Sequence, residues 1–496
     1  MAAIISSNTP ILIVLVLLFS AYLLPIFSKK RYKIVKWLTV VSESVLVIGG
    51  IYLAWKVLTT GQFNYILGGW EPPWGLELTI DPLSVFFIIT VGLISLPIAI
   101  YSLPNMAYQV HGERRAGWFF TLFLLHIAGL CGMAFSRDLF NLYVFIEVTT
   151  ISAVALVAAD NSAASIEAAF KYLIMATLGS GFILAGIGIM YIITGNLNMI
   201  FVRRELALVW TDYPHALWIA CSFFLVGFGI KSAVFPLHSW LPDAHSAAVT
   251  PASALLSGLA VKGFIIGLIK VLYIAIGVDI FTALGISTLL RILGMISLIA
   301  GSIFALSQHQ LKRRLAFSTI AQLGYVFLGL GIGNETAISG ALFHIISHGL
   351  IKSVLFLAAG SIISQSGETE ISQLAGIGKK MPYTMGAFTA ASLAMIGIPL
   401  FSGFVGKWNM ILGSLESANW LAAIVIIVGS LLAAGYLLPI VRTAYFETGN
   451  TANIEEVSRS QLIPVLVLAA FIIIFGCFPS YILELTRQAA TMLLFN

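Results

Sequence analysis

Three ionisable residues lie inside apolar segments, where a charge is costly. Lys231 and Lys262 each stand within a long apolar run, and Glu147 lies midway along NLYVFIEVTTISAVAL. A charged side chain at the centre of a bilayer costs roughly 2.5 to 3.5 kcal/mol on insertion scales, so its presence indicates a function by default. We therefore predict that these residues carry protons, and that Lys270, which is nearer to a segment end, is structural.

The chemistry expected of a buried lysine beside a carboxylate is reversible proton transfer. An ammonium group in an apolar site holds its proton while a carboxylate lies close, and it releases the proton when the carboxylate moves away. A Glu147–Lys231 pair would be such a switch. The alternative is that Glu147 only neutralises a cation on a neighbouring helix.

A second group of titratable residues shares one helical face. His344, His348 and Lys352 follow one another at intervals of four in ALFHIISHGLIKSVLFLAAG. This spacing stacks side chains on one face of an α-helix, so we predict a hydrogen-bonded relay. A histidine pair at this spacing can also bind a metal ion, but the nearby lysine repels cations and the segment has no carboxylate. We predict no metal site.

Proline and glycine interrupt two of the apolar segments close to a lysine. Pro236 follows Lys231, and the run GIPLFSGFVGKW ends just after Lys407. Such breaks are tolerated where the backbone faces protein or a water-filled cavity. Lys407 is therefore a further candidate, with capping of the first half-helix as its structural alternative. The polar stretch between the two central lysines supplies three supporting candidates, which are His238, Asp243 and His245.

The composition is that of an integral membrane protein. The chain has 496 residues, of which 59% are hydrophobic and 9% are charged, whereas about a quarter of a soluble domain is charged. Continuous apolar runs of about 20 residues predict helices and not a β-barrel. The net charge of +5 fits basic loops at a membrane better than a nucleic-acid partner. The three cysteines form no CxxC motif, and the sequence shows no flavin, iron–sulfur or nucleotide motif, so we predict no cofactor.

The predicted fold is an all-α polytopic membrane protein with about 14 transmembrane helices. The first apolar run lacks a preceding basic region and a cleavage site, so we interpret it as a span and not as a signal peptide. The expected spans are residues 10–27, 34–56, 82–103, 117–135, 139–158, 168–194, 216–236, 249–275, 283–306, 315–332, 338–364, 384–411, 419–445 and 461–484.

The two broken spans, the seventh and the twelfth, are five spans apart. This spacing predicts two five-helix repeats, formed by spans 4–8 and 9–13, and an odd number of crossings makes the repeats inverted. The corresponding domain bounds are 1–110 for the first three spans, 111–280 and 281–446 for the repeats, and 447–496 for the last span.

Basic residues predict the orientation of the chain. Most clusters follow odd-numbered spans, which puts those loops in the cytoplasm and both termini outside. The exceptions are Arg137, Arg203 and Arg204. The clusters are Lys29 to Arg31 with Lys33, Arg114 and Arg115, Lys312 to Arg314, Lys379 and Lys380, and Arg442 with Arg459.

Four stretches of the sequence resemble one membrane family. FSRDLFNLYVFIEVTT, FPLHSWLPDAHSAAVTPASALLSGLAVKG, FHIISHGLIKSVLFLAAG and GIPLFSGFVGKW are similar to the antiporter-like subunits of respiratory complex I and of multi-subunit Mrp cation/proton antiporters. The resemblance covers nearly the whole chain and implies fourteen helices with two inverted repeats. It also implies roles for individual residues: Glu147 and Lys231 as a modulating pair, Lys262 as the central proton carrier, Lys407 on the path to the outside, and His344, His348 and Lys352 between the halves.

Lysine at position 407, where the central complex I subunit of this type usually has glutamate, makes the chain resemble the D-type Mrp subunit and the related subunits of membrane-bound hydrogenases. The resemblance therefore implies a proton-translocating subunit of a Mrp-type Na⁺/H⁺ antiporter in the cell membrane, a transporter subunit and not an enzyme by itself. Its expected partners are Mrp A-, B-, C-, E-, F- and G-type subunits, protons, sodium ions and the lipid bilayer. The alternatives are a proton-pumping subunit of complex I or of a membrane-bound hydrogenase, and a structural scaffold with vestigial charges.

Overall fold

The computed structural model describes residues 2–28, 31–449 and 454–495, and their side chains from residue 8 onward. Two of the basic residues used to predict the orientation, Lys29 and Lys30, lie outside the described residues.

Fourteen crossings are present, as predicted. Within the described residues, 13 helices are long and apolar enough to cross a membrane. The twelfth span is divided into Pro382–Ile396 and Ser402–Glu416, which together make one crossing. The 13 helices are Asn8–Ser28, Tyr32–Thr60, Pro82–Ser102, Glu113–Phe135, Leu139–Val157, Ala163–Thr194, Pro214–Lys231, Thr250–Ile276, Ile286–Leu306, Leu311–Ile332, Glu335–Ser366, Trp420–Phe446 and Arg459–Cys477.

Several shorter elements lie in the connections. The connection 57–81 contains an antiparallel pair of strands, Phe63–Ile66 and Glu77–Ile80. The fourteenth span ends at Cys477 and not near 484, because Pro479 interrupts the helix and a new helix begins at Ser480. The short helices are Leu67–Gly69, Met106–Gln109, Met199–Val209, Trp240–Ala247, Val278–Ala283, Ile371–Leu374, Ile377–Lys380 and Ser480–Phe495.

The eighth and eleventh spans form the centre of the bundle. Their most apolar windows are 100% buried, compared with 39% for the ninth and thirteenth spans, which face outward. The two central helices approach closely because Gly258 faces Gly349: a Cβ on Gly349 would lie 2.9 Å from the Gly258 carbonyl oxygen. Small residues at such contacts allow helix backbones to pack tightly in membranes. This packing brings the helix of Lys262 against the helix of the histidines.

The eighth span is not a regular α-helix. Two π-helical segments, Leu256–Ala260 and Lys270–Ile276, lie on either side of Lys262. A π-helical turn inserts a residue, changes the direction of the side chains that follow and leaves carbonyl groups less regularly paired. Neither segment has a signal in the sequence that would have predicted it.

One local structure recurs at opposite ends of the bundle. In the first occurrence, the Leu139 N–H donates to the Leu197 carbonyl and the Met199 N–H donates to the Arg137 carbonyl, both at 2.9 Å. In the second, Leu311 bonds Thr369 and Ile371 bonds His309, both at 3.0 Å. Each pair of hydrogen bonds forms a short bridge between two connections. Every residue of the second bridge lies the same number of positions further along the chain than its counterpart in the first. Since the two bridges lie at opposite ends, they agree with inverted repeats; the exact domain bounds remain a prediction.

The two ends of the bundle are defined by their connecting elements. The hairpin face carries the two strands, Arg137, the helix Met199–Val209 and the helix Ser480–Phe495. The connector face carries residues 232–249, which join the seventh and eighth spans, together with the start of the tenth span.

Candidate functional site

The predicted Glu147–Lys231 pair is formed. The Lys231 Nζ lies 3.4 Å from Glu147 Oε1 and 2.8 Å from Thr150 Oγ1. The Ser180 hydroxyl also donates a hydrogen bond to Glu147. Lys231 is only 1% exposed, whereas the Glu147 side chain is 27% exposed. The carboxylate is therefore the more accessible member of the pair, as a movable partner of a fixed lysine must be.

Lys262 is fully buried in the centre of the bundle. Its ammonium group donates to the Ser257 carbonyl in the preceding π-helical segment, and no other side-chain hydrogen bond of Lys262 occurs in the described part of the chain. The Ser257 hydroxyl in turn lies 2.9 Å from Thr319 Oγ1 on the tenth span. Lys262 thus sits at the contact between the two halves, without a carboxylate partner among the described ion pairs.

The two histidines of the eleventh span are stacked. The rings of His344 and His348 are 5.7 Å apart with an interplanar angle of 4°. All four ring nitrogens are buried without a hydrogen-bond partner among the described residues. Buried polar atoms are almost always hydrogen-bonded, and buried water commonly serves as the partner. We therefore expect water molecules to bridge these rings to their neighbours.

The histidines lie among the central lysines. His348 is within electrostatic range of Lys262, Lys352 and Lys407, and His344 of Lys262 and Lys407. The Lys352 ammonium is held on the tenth span, 2.6 Å from the Leu315 carbonyl oxygen. The arrangement brings the predicted carriers of the second half together around the histidine stack.

No hydrogen bond or ion pair between described residues joins Lys231 to Lys262, and none joins Lys262 to the two histidines. The Phe264 ring lies 5.5 Å from the Lys231 Nζ. Proton transfer between the two lysines therefore requires water or a side-chain movement.

The contacts of Lys407 are those of its structural alternative, the capping of the first half-helix. Its Nζ lies 2.7 Å from the Met395 carbonyl oxygen and 3.2 Å from that of Ile396, the last residues of the first half-helix. It also lies 3.2 Å from Ser430 Oγ and 4.5 Å from the centre of the Tyr325 ring. The ammonium therefore caps a helix end inside the membrane, where the negative end of the helix dipole favours a cation.

Capping and proton transfer by Lys407 are separable by two substitutions. We expect Lys407→Gln to keep much of the stability, because an amide also donates hydrogen bonds to carbonyls, but to lose at least about nine-tenths of transport. Lys407→Ala should lose transport and also stability, by about 1–3 kcal/mol for the unpaired carbonyls. Measuring transport and thermal unfolding of both variants separates the two roles. Full transport by Lys407→Gln would show that Lys407 only caps the half-helix.

The three supporting candidates occupy different positions. Asp243 lies on the connector face and pairs with Lys171 at 3.2 Å and Arg313 at 2.9 Å, which ties the sixth span to the tenth. His238 packs against aromatic rings, and burial lowers its pKa below the usual value. His245 is fully buried and is the one that points inward, since it lies within electrostatic range of two of the central lysines.

A pocket of about 210 Å³ opens on the connector face beside Asp243. Below it, Tyr172 stacks on Trp240 with ring centres 3.9 Å apart. Along the sixth span a buried stripe at intervals of four leads inward to Ser180, which bonds Glu147. The stripe consists of Ala168, Tyr172, Ala176 and Ser180.

Sequence reasoning missed one buried carboxyl group. Glu43 is fully buried in the second span, 2.5 Å from Ser95 Oγ, and its Oε1 has no partner among the described residues. The rule used for Glu147, an acid inside an apolar run, applies equally to VSESVLVIGG. Lys270 behaves as expected of a structural residue, because its ammonium caps the carbonyls of Ala134 and Ser136 at the end of the fourth span.

Comparison with known proteins assigns the chain to a family. The family model for NADH:quinone oxidoreductase/Mrp antiporter transmembrane proteins matches residues 136–433. The chain belongs to this family. It is 38% identical to the N-type subunit of NADH-quinone oxidoreductase from Desulforudis audaxviator, over 98% of this chain and 99% of that one. It is 29% identical to the D-type subunit of the Na(+)/H(+) antiporter from Alkalihalophilus pseudofirmus, over 90% of each chain.

Solved structures show the same fold. A chain of the membrane-bound sulfane sulfur reductase, an archaeal respiratory membrane complex, superimposes with a TM-score of 0.90 at 28% identity, over 98% of this chain and 97% of that one. A chain of the Mrp complex from Dietzia has a TM-score of 0.87 at 22% identity, over 99% and 98%. The family resemblance and the fold predicted from the sequence are thereby confirmed.

Proposed function

We propose that this chain is a proton-translocating subunit of a multi-subunit membrane complex, with a Mrp-type Na⁺/H⁺ antiporter as the first candidate. The observation that carries the proposal is the set of titratable side chains at the centre of the bundle. Glu147 pairs with Lys231, and the histidine stack lies within electrostatic range of Lys262, Lys352 and Lys407. Buried ionisable groups at this density mark proton relays in membrane proteins.

In the proposed mechanism the Glu147–Lys231 pair is the switch. While the pair is closed, Lys231 keeps its proton; when the carboxylate moves away, the proton passes to Lys262 by way of water. The proton then passes through the histidines to Lys407, and Lys407 releases it towards the hairpin face. Between transfers, Thr150, Ser257 and the half-helix end hold the three ammonium groups in place.

Membrane orientation is part of the proposal. The connector face carries Lys312 and Arg313, so the bias of basic residues towards the cytoplasm puts this face inside and both chain termini outside. Protons then load through the connector-face pocket. We place the complex in the cell membrane, with the chain acting as a transporter subunit and any redox chemistry residing in other subunits.

Filling the stripe on the sixth span tests the loading path. We expect Ala176→Leu to reduce transport about tenfold, because the larger side chain would block a path along this buried stripe. Gly181→Leu is the matched control, since a side chain at this exposed position meets open space. Equal transport by both variants, with unchanged thermal unfolding, would show that protons do not load along this stripe.

A redox-driven pump is the second candidate. It is favoured by the 38% identity to a subunit of NADH-quinone oxidoreductase, which exceeds the 29% identity to the D-type antiporter subunit, and by the likeness to an archaeal respiratory complex. The same relay serves both functions, and only the driving force differs.

The parent complex is decided by its other subunits. We expect the purified, tagged chain to bring with it small membrane subunits of the Mrp A-, B-, C-, E-, F- and G-types. Iron–sulfur or flavin subunits in the preparation, with proton pumping driven by an electron donor, would replace the antiporter proposal by the redox-driven one.

A further inference from the structure

A cavity on the hairpin face has no role in the proposed relay. It has a volume of about 220 Å³. Two arginine side chains line it, and no carboxylate is among the described residues of its lining. The lining residues are Gln62, Arg137, Ile200, Arg203, Tyr273, Ile274 and Met492.

Both arginines have unused hydrogen-bonding capacity. A guanidinium group has five N–H donors. Within the described part of the chain, the side chain of Arg203 makes one hydrogen bond, of 3.4 Å, to the Tyr273 carbonyl oxygen. Arg137 makes one contact of 3.5 Å, to Asp81 Oδ2. Arg203 therefore caps the eighth span, and Arg137 pairs with Asp81, with only a few of their N–H donors. The other donors remain available to a ligand.

The two charges are close together and partly removed from water. The guanidinium of Arg203 lies over Gly277, with its Nε 3.3 Å from the position that a Cβ on this glycine would take. Burial lowers the pKa of Arg203, and the positive charge of Arg137 lowers it further, against the opposing effect of Asp279. Two half-buried cations facing one cavity favour an anion between them.

The cavity is level with the ends of several spans, where we expect the lipid headgroups. Gln62, Arg137 and Ile200 each follow closely on the end of a span, while Tyr273 and Ile274 belong to the last turns of the eighth span. The helix Met199–Val209, which carries Arg203, runs between two spans and exposes 76% of Leu208. Such short amphipathic helices lie in the membrane interface.

We propose that this cavity is a phosphate-binding site, with Arg203 and Arg137 as the two arms that hold the phosphate oxygens. Arginine matches phosphate geometry with paired N–H donors. The headgroup of an anionic phospholipid is the source of phosphate at this depth, and Arg203 is the residue on which its retention depends. The site is separate from the relay and does not require the proposed transport function.

The test compares lipid retention by single-arginine variants. The full chain is purified in an uncharged detergent, freed of lipid, and titrated with phosphatidylglycerol while native mass spectrometry counts the bound molecules. We expect Arg203→Gln to lower the apparent affinity for the first phosphatidylglycerol about tenfold. Arg204→Gln is the matched control, because the neighbouring Arg204 is exposed and does not line the cavity; it should bind like the unchanged chain.

Competition distinguishes the two sources of phosphate. Displacement of the Arg203-dependent lipid only by millimolar inorganic phosphate in large excess supports a headgroup site. If inorganic phosphate alone binds with the same dependence on Arg203, the site takes free phosphate. Equal retention of phosphatidylglycerol by the unchanged chain and Arg203→Gln overturns the proposal. If Arg203→Gln does not fold, Arg203→Lys keeps the charge and loses the paired donors, and the same comparison applies.

Discussion

Replacing Lys262 by methionine is expected to abolish proton-coupled cation transport, with a loss of at least about 100-fold. Lys262 is fully buried at the contact between the two halves, where its ammonium group donates to the Ser257 carbonyl. Methionine has a similar volume, so the core keeps its packing. The variant lacks any group that accepts a proton between Lys231 and the histidines. Transport is measured in vesicles that contain the complete complex, with an imposed pH gradient.

Two further variants separate proton transfer from charge. Lys262→Arg keeps the positive charge but is expected to be inactive as well, because a guanidinium group does not release its proton. Lys33→Met removes a charge from an exposed lysine at the start of the second span and should leave transport unchanged. Transport by Lys262→Met within about twofold of the unchanged chain would contradict a relay through Lys262.

The membrane crossings were predictable because length and apolarity determine them. Helices such as Leu139–Val157 and Trp420–Phe446 begin and end within a residue or two of the predicted bounds. Apart from the two π-helical segments of the eighth span, the elements that escaped prediction lie outside the membrane-spanning helices. The helix Ser480–Phe495 is amphipathic and follows a proline, and the strands Phe63–Ile66 and Glu77–Ile80 are only four residues each.

Candidate carriers were visible in the sequence because lysine and glutamate are rare in apolar runs. Their partners were not, since Thr150, Ser257 and Ser430 are ordinary residues of membrane helices whose role depends on tertiary packing. The π-helical segments around Lys262 were unpredictable for the same reason, because they too depend on tertiary packing. Glu43 could have been found by the rule that identified Glu147, since it lies well inside the predicted span 34–56.

The two repeats carry different residues at equivalent positions. The separation that relates the two backbone bridges also relates Ser180 to Lys352 and Glu147 to Thr319. In the first repeat a hydroxyl on the longer helix bonds a carboxylate. In the second, the longer helix supplies an ammonium group that bonds the tenth span. The equivalent positions therefore carry glutamate in the first repeat and threonine in the second, and serine in the first and lysine in the second.

Glu147→Gln is expected to reduce coupled transport at least about 100-fold while the protein still folds. Glutamine keeps the shape of the side chain and can still accept a hydrogen bond from Ser180. It has no charge with which to hold a proton on Lys231, 3.4 Å away, so the closed state of the switch is lost. Proton-coupled transport and thermal unfolding are measured together. Glu484→Gln is the control, since Glu484 is an exposed carboxylate on the helix Ser480–Phe495, away from the proposed path.

Adding a second substitution separates a switch from simple charge neutralisation. If Glu147 only neutralises Lys231, then removing both charges in Glu147→Gln with Lys231→Met leaves nothing to neutralise, and transport returns. If the pair is a switch, the double variant stays as inactive as Glu147→Gln alone, because no group remains at position 231 to take up and release a proton. The double-mutant cycle therefore distinguishes a switch from a pair that only neutralises charge. We expect the double variant to fold, since the Met side chain removes a buried charge together with its partner, and to remain inactive.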